Sequence, residues 1–309
     1  MLDGRMSSDF SAYAYPQLIM KRSWRKQSAR FEARLARTAR RQDVVCNQSY
    51  VSVHGPASIL EAALLAFNST VATYFLQLAS GRAAAYRPEV LIEEVRSIPL
   101  PEEANVSLSE LTSLAAIDDA AFRAFGLNDA ERVLVEDLAN EVVRDFRGDA
   151  KAVGYRATGA FGGGDREAVL KDYCGHFMRV LKAGFGADRT IRATIFSHQA
   201  DQRPLPYRLV GFRLCEDGND GIDVESLESG VLLQRMESLD RQDGRKRRGL
   251  YEGKAFRLYD GRAGAPMIFV LKPDMTRHWL RSIALEDGDD VSLDLFRWRQ
   301  GMLDSGGAR

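Results

Sequence analysis

The chain has 309 residues, 45% of them hydrophobic and 28% charged, with 43 basic and 43 acidic side chains and a formal net charge of zero. That length predicts about two domains with real cores, and the balanced charge excludes a global field drawing the whole molecule to nucleic acid or to a membrane surface. Three cysteines without a Cys-x-x-Cys spacing, no apolar run near the ~20 residues that span a bilayer, and no h-region after a basic start predict a cytoplasmic protein with reduced thiols, no secretory signal and no membrane anchor.

The first apolar run, Leu18-Ile-Met20, lies between Pro16 and a charged stretch, and predicts a strand. Gln27 to Arg41 carries Phe31 and Leu35 at i, i+4 among arginines, and fits either a helix or an Arg-rich strand-loop. Val45, Val51 and Val53 alternate within Gln42 to His54, which predicts a strand, and Gly55-Pro56 predicts a turn. Ser58 opens a long helix with Leu60, Leu64, Phe67, Val71, Phe75 and Leu78 on its apolar side and Gly81 as its end. Val90 to Ile98 predicts a short strand, stopped by Pro99-Leu-Pro101.

Ser107 to Arg147 is helical by period. One segment holds Leu108, Leu111, Leu114 and Ile117, and Asn128 caps a second, with Glu131 at capping-box spacing. In that second segment Leu134, Leu138, Val142 and Phe146 form one helical stripe. The glycines within Gly148 to Asp165 mark a flexible linker. After it the order helix, strand, strand comes twice: helix Arg166 to Lys182 with strands Thr190 to Phe196 and Tyr207 to Cys215, then helix Val224 to Leu239 with strands Leu250 to Tyr259 and Met267 to Leu271. A helical stretch from His278 to Trp298 closes the chain. The loops 199–206 and 261–266 are short enough for hairpins. The expected fold class is α+β: a domain over 1–104 with short strands and a long helix, a helical connector over 105–148, a glycine-rich linker over 149–165, and an α+β domain over 166–309 with a mainly antiparallel sheet.

Charge is unevenly placed along this frame. Lys21, Arg22, Arg25, Lys26, Arg30, Arg34, Arg37, Arg40 and Arg41 face a single acid, Glu32, whereas acids dominate from Glu102 to Asp149. A basic head interleaved with Trp24 and Phe31 suits phosphate neutralisation and guanine edges, and an acidic middle suits a protein partner.

The series Pro16-Gln-Leu-Ile-Met-Lys-Arg-Ser-Trp-Arg-Lys26, the Asn68-Ser69 pair on a helical pattern and the closing Ser97-Ile-Pro-Leu-Pro101 resemble the target-recognition region at the C-terminal side of adenine-N6 DNA methyltransferases of restriction-modification type, namely type I, type IIG and BREX-like systems. The tail, Lys272-Pro-Asp-Met-Thr-Arg-His-Trp279 with Ala284-Leu-Glu-Asp-Gly-Asp-Asp290, resembles a C-terminal signature of proteins linked to these methylase systems. The catalytic Asn/Asp-Pro-Pro-aromatic tetrad of that family is missing, because the chain contains neither Pro-Pro nor Asn-Pro. Its one glycine-rich candidate for a cofactor loop, Thr158 to Asp165, follows a polar, glycine-broken stretch instead of an apolar strand.

The resemblance therefore implies a non-catalytic, cofactor-free DNA-binding specificity or accessory subunit of a bacterial restriction-modification or phage-defence system, with duplex DNA and a separate methyltransferase subunit as partners. The expected DNA contacts are Lys21, Arg22, Trp24, Arg25, Lys26, Arg30 and Arg34, joined by Arg245, Lys246 and Arg247 in a second basic loop. Glu136, Asp137 and Glu141 are the expected partner contacts. Alternatives are a metal-dependent nuclease built on Glu252-Gly-Lys254 with Asp240 or Asp243, or an inactive methyltransferase remnant or structural adaptor. Asp287, Asp289 and Asp290 suit either a metal or negative charge near a helix N-terminus. His54, His176, His198 and His278 have no ligand spacing and predict no metal site.

Overall fold

Alternation builds the first sheet. Leu18 and Met20 put one side of β1 (Gln17–Lys21) into a core, and Val53 does the same for β3 (Tyr50–His54). The structure is a computed structural model and describes residues 14–23, 30–37, 47–80, 89–102, 111–146, 148–149, 151–160, 165–185, 189–198, 205–215, 218–242, 256–260 and 267–306. The ambiguous Arg-rich segment supplies a strand, β2 (Ala33–Ala36), and the sheet runs in the order β2-β1-β3 with both pairs antiparallel.

The long helix expected from Ser58 is two helices, α1 (Ala57–Asn68) and α2 (Thr70–Ala79), bent by 75°. Ser69 between them is extended, and the side chains around it explain the break. Asn68 acts like a short piece of strand. Its Oδ1 accepts from Ala33 N at 3.0 Å, and its Nδ2 donates to Ala33 O at 3.0 Å and to Leu64 O at 2.8 Å. Ser69 makes no side-chain cap for α2. Asp118 caps it from a distance, accepting from Thr70 N at 2.8 Å and from Thr70 Oγ1 at 3.0 Å.

Val90 to Ile98 departs from the expected strand. Pairing there is a single bridge, Ser23 to Glu89, after which α3 (Ile92–Ser97) begins. Glu94 turns back to accept from Leu91 N at 2.7 Å and so satisfies an open helix donor, while the buried residues Val95 and Ile98 are one helical step apart. Pro99 and Pro101 then prevent the helix from continuing.

The acidic region yields α4 (Leu114–Ala124), capped by Ser113, and α5 (Asp129–Asp137), which has the expected Asn128–Glu131 capping box. A π turn over Leu138–Val142 joins α5 to α6 (Val143–Phe146). The sheet packs on one side of the α1–α2 pair through Leu18, Met20, Ala33, Leu60, Phe67 and Leu76. On another side, Leu65 and Val71 meet Ala120, Ala121, Phe122 and Val135 of α4 and α5.

The chain divides into two compact units, Met1–Lys151 and Ala152–Arg309. In the second, α7 (Ala168–Phe185) precedes β4 (Thr190–His198), β5 (Tyr207–Cys215) and β6 (Gly221–Leu227). Then come α8 (Ser229–Gln242), β7 (Phe256–Asp260), β8 (Met267–Pro273) and α9 (Arg281–Gly306). The order across the five-stranded sheet is β6-β4-β5-β8-β7, antiparallel except for the parallel β4–β6 pair. The expected helix from Val224 begins five residues later, at Ser229, because 221–227 pairs along β4 as an edge strand. Its side chains are mostly exposed or half-buried, so hydrophobic periodicity carried no strand signal there.

One face of this sheet carries α7 and α9 through Ile191, Val210, Phe212, Tyr173, Phe177 and Val291, and the other carries α8 through Phe196, Leu209, Leu232 and Met236. A side chain at Gly288 would put its Cβ 2.8 Å from the Cβ of Val180, so glycine allows α7 and α9 their close approach. The α+β class read from the sequence is the class of the structure.

The expected flexible linker is partly a fitted element. Thr276 N donates to Arg156 O at 2.9 Å, Arg277 N to Gly154 O at 3.0 Å, and Thr158 N to Asp274 Oδ1 at 2.9 Å. These bonds hold 154–158 to the turn after β8. Gly162 to Gly164 lie outside the described residues.

Candidate nucleic-acid interface

With Leu18, Met20, Ala33, Leu35 and Val53 turned to the core, the pleat sends the alternate residues of the first sheet to its other face. Cross-strand register lays them out in rows. Lys21 lies opposite Tyr50, Ile19 lies between Arg34 and Ser52, and Gln17 lies between Ala36 and His54. Spacings of ~4.8 Å between strands and ~3.4 Å per residue confine these rows to roughly 10 by 14 Å.

Arg34 and His54 are exposed, Tyr50 is 42% exposed, and Lys21 is half-buried. His54 is held in place: Nδ1 lies 3.1 Å from Ala14 O, which can only accept, and Nε2 lies 3.0 Å from Ser52 Oγ. Ser52 Oγ also donates to Gln17 Oε1 at 2.9 Å. The face thus presents two cations, a phenol ring and a fixed imidazole. Those groups can meet phosphates, stack on bases and exchange hydrogen bonds with base edges.

The structure sorts the expected DNA contacts. Lys21 and Arg34 are on this face. Arg22 is engaged elsewhere, with Nε donating to Val90 O at 3.3 Å and Nη1 to Gln48 O at 3.2 Å, so it ties β1 to two neighbouring segments. Arg30 is corrected from a surface contact to a buried one. It forms a two-pronged pair with Asp118, with Nη1 at 2.8 Å from Oδ1 and Nη2 on Oδ2, which gives the largely buried carboxylate that caps α2 a counter-ion. Trp24, Arg25, Lys26, Arg245, Lys246 and Arg247 lie outside the described residues, as do Glu252 and Lys254 of the nuclease alternative. Tyr50, Ser52 and His54 were missed. Their signal was in the sequence, since Val51 and Val53 facing inward require these three to face outward.

Glu136 and Glu141 are half-buried, and Asp137 is corrected from a partner contact to a buried residue. It lies one helical turn from the buried Val133, on the inward side of α5.

The tail signature forms buried polar structure. Lys272 on β8 pairs with Asp287 on α9, which also accepts from Tyr173 OH at 2.6 Å. Lys272 Nζ donates to His278 O at 3.2 Å and sits over the rings of Tyr173 and Trp279. Trp279 Nε1 donates to Pro273 O at 2.9 Å. Directly across from Lys272 is Arg208 on β5, buried against Glu167, which also accepts from Ser197 Oγ at 2.6 Å. Two like charges side by side in a sheet repel, and each here has its own carboxylate, Asp287 from α9 for Lys272 and Glu167 from the turn before α7 for Arg208. Asp287 therefore serves as an internal counter-ion, not as a helix-terminus charge or a metal ligand. Among the described residues, no group of three or more His, Cys, Asp or Glu side chains is placed to hold a metal. Cys174 and Cys215 are free, and burial pushes the Cys174 thiol far up, which leaves it unreactive at neutral pH.

His198, at the end of β4, is buried, and its Nε2 has no hydrogen-bond partner among the described residues. Burial holds its pKa below the ordinary 6.5, helped by Arg208 and Arg166 and opposed by Asp274 and Glu167. The folded state therefore binds its proton more weakly than the unfolded chain does. The stability due to neutral His198 is complete above pH 6.5 and is lost as pH falls through the depressed value. Denaturant titrations at pH 7.5, 6.5 and 5.5 are expected to show the second unit weakening with acid, and less so in His198→Phe. Parallel slopes for parent and variant would mean that His198 does not titrate in this way.

Among the described residues, no single helix is long and apolar enough to cross a membrane. Comparison with protein-family models, with curated proteins and with solved structures finds no match to this chain.

Proposed function

We propose that the chain is a non-catalytic DNA-binding specificity or accessory subunit of a bacterial restriction-modification or phage-defence system, acting with a separate adenine methyltransferase polypeptide. One observation carries the reading: the first sheet turns its apolar side to α1 and α2, and its other face bears Lys21, Arg34, Tyr50 and His54 in adjacent rows. The resemblance to methyltransferase target-recognition regions covers this same sheet and the helices behind it. The Asn68-Ser69 pair that belongs to the resemblance is the joint that fastens β2 to the bent helix pair. On this reading the apolar and Asn-Ser parts of the motif supply the scaffold, and the outward residues of the strands supply the contacts.

Anisotropy titration of a labelled 20-base-pair duplex tests the proposal. The full chain is expected to bind with a dissociation constant of about 10⁻⁴–10⁻⁶ M at physiological salt and to weaken steeply as salt rises. Lys21→Glu with Arg34→Glu removes two phosphate contacts, so the slope of log K against log salt should fall by roughly 2. The double variant binding like the parent, with a normal melting curve, would exclude this face.

A further inference from the structure

We propose that the outward side of the 134–146 segment is a docking surface for a helix of a second polypeptide, one with an apolar stripe edged by Lys or Arg. The proposal rests on the reading above, in which the chain works with a separate subunit, and it names the surface and the chemistry of that contact. Leu134 is 37% exposed, Val142 45% and Phe146 68%. A phenylalanine that open is uncommon, and here it continues a row with two other exposed apolar residues and the half-buried Leu138. The row spans about 18 Å of helix axis, three turns, which is the length over which a docked helix buries its anchors.

The segment's inward positions are already filled by Val133, Val135, Ala139 and Val143. The row is therefore surplus to the unit's own core. The π turn over Leu138–Val142 keeps it so. An i, i+4 row drifts about 40° per step around an α-helix of 3.6 residues per turn. The wider i→i+5 turn offsets that drift, so Val135, Ala139 and Val143 stay inward while Leu134, Val142 and Phe146 stay outward.

Charge selects the occupant. Glu131, Glu141 and Asp145 each stand three residues from a member of the row, where side chains on a helix are neighbours. Of the cations described beside the row, Arg132 Nε donates to Leu127 O at 3.2 Å while its guanidinium lies 5.8 Å over the Phe122 ring, and the Nε of Arg144 is buried. An acidic rim around an apolar row complements a basic rim around an apolar row. A second copy of this chain fits poorly, because a twofold contact through this face would set the same acids against themselves.

The test uses a labelled 18-residue amphipathic helix of Leu and Lys, and the same peptide with Glu in place of Lys, titrated by anisotropy with the full chain. The Leu/Lys peptide is expected to bind and the Leu/Glu peptide to bind at least about tenfold more weakly, a difference of one step in log Kd. Val142→Ser with Phe146→Ser, both at exposed positions, should lower Leu/Lys affinity about tenfold with an unchanged circular dichroism spectrum and melting midpoint. Glu141→Lys with Asp145→Lys should do the same while leaving the apolar row in place. Equal binding of the two peptides, or undiminished Leu/Lys binding by either double variant, overturns the proposal. A parent that is dimeric by light scattering and becomes monomeric in the serine variant also overturns it, in favour of a second copy. The duplex-DNA titration run on the same variants reads the DNA proposal separately, since none of these four residues lies on the first sheet.

Discussion

Asp287→Ala is expected to lower the unfolding free energy of the second unit by about 3–5 kcal/mol, the usual result of stranding one charge of a buried pair. Lys272 and Asp287 are both nearly inaccessible, and the substitution removes the carboxylate that faces both the ammonium and the Tyr173 hydroxyl. Lys272 would keep the carbonyl of His278 and the faces of two aromatic rings, which together do not replace a counter-ion. The nearby Arg208 makes the loss worse, since it stands across the β5–β8 ladder and adds repulsion. The measurement is urea unfolding of the full chain followed by near-ultraviolet dichroism, to which the buried Trp279 and Tyr173 beside the pair contribute. Replacing both partners, Lys272→Met with Asp287→Leu, should recover most of the loss, because an apolar pair of similar volume avoids desolvating two charges. A single variant as stable as the parent would show that the pair is open to water. A double variant no better than the single one would show that the site requires charge for a reason other than burial.

Asp118→Ala is expected to cost the first unit about 3–5 kcal/mol by the same stranding of a charge, here on Arg30. It also removes a side-chain cap of the α2 N-terminus, where Ser69 makes none, a contribution of about 1 kcal/mol. Asp118 is eighty-eight residues from Arg30 in sequence and receives four hydrogen bonds, two from Arg30 and two from Thr70. This prediction separates two explanations for any loss of DNA binding in an Arg30 variant. If Arg30 acts through the fold, Asp118→Ala should abolish DNA binding together with the melting transition of the first unit, although Asp118 carries no charge that DNA could attract. If Asp118→Ala melts like the parent, the pair adds little and Arg30 is available to a phosphate after all.

Local signals decided much of what was legible. The Asn128–Glu131 box is complete within four residues, so the start of α5 could be read directly. Tyr207–Cys215 is a strand with the expected ends, because a run buried on both faces between two partners needs no alternation to mark it. The departures have a common cause. Val90 to Ile98 reads as a strand only if the backbone donor that Glu94 satisfies is ignored. The segment 221–227 reads as the start of a helix until β4 offers it an edge.

By itself the sequence determined the α+β class, the alternation of β3, the capping of α5 and the absence of a methyltransferase tetrad, because each depends on residue identity or on spacings within one turn or one pleat. The tertiary structure alone decided which arginine is a surface group and which is a counter-ion. Arg30 and Arg34 are four residues apart in the same basic run, yet one is buried on Asp118 and the other is exposed on the outer side of the first sheet. It also decided that the tail's Lys272 and Asp287 form a pair and that the Leu134, Val142 and Phe146 row faces outward. A charged or apolar side chain takes its role from whatever the fold brings within a few ångströms of it, and those neighbours come from parts of the chain that local spacing does not reach.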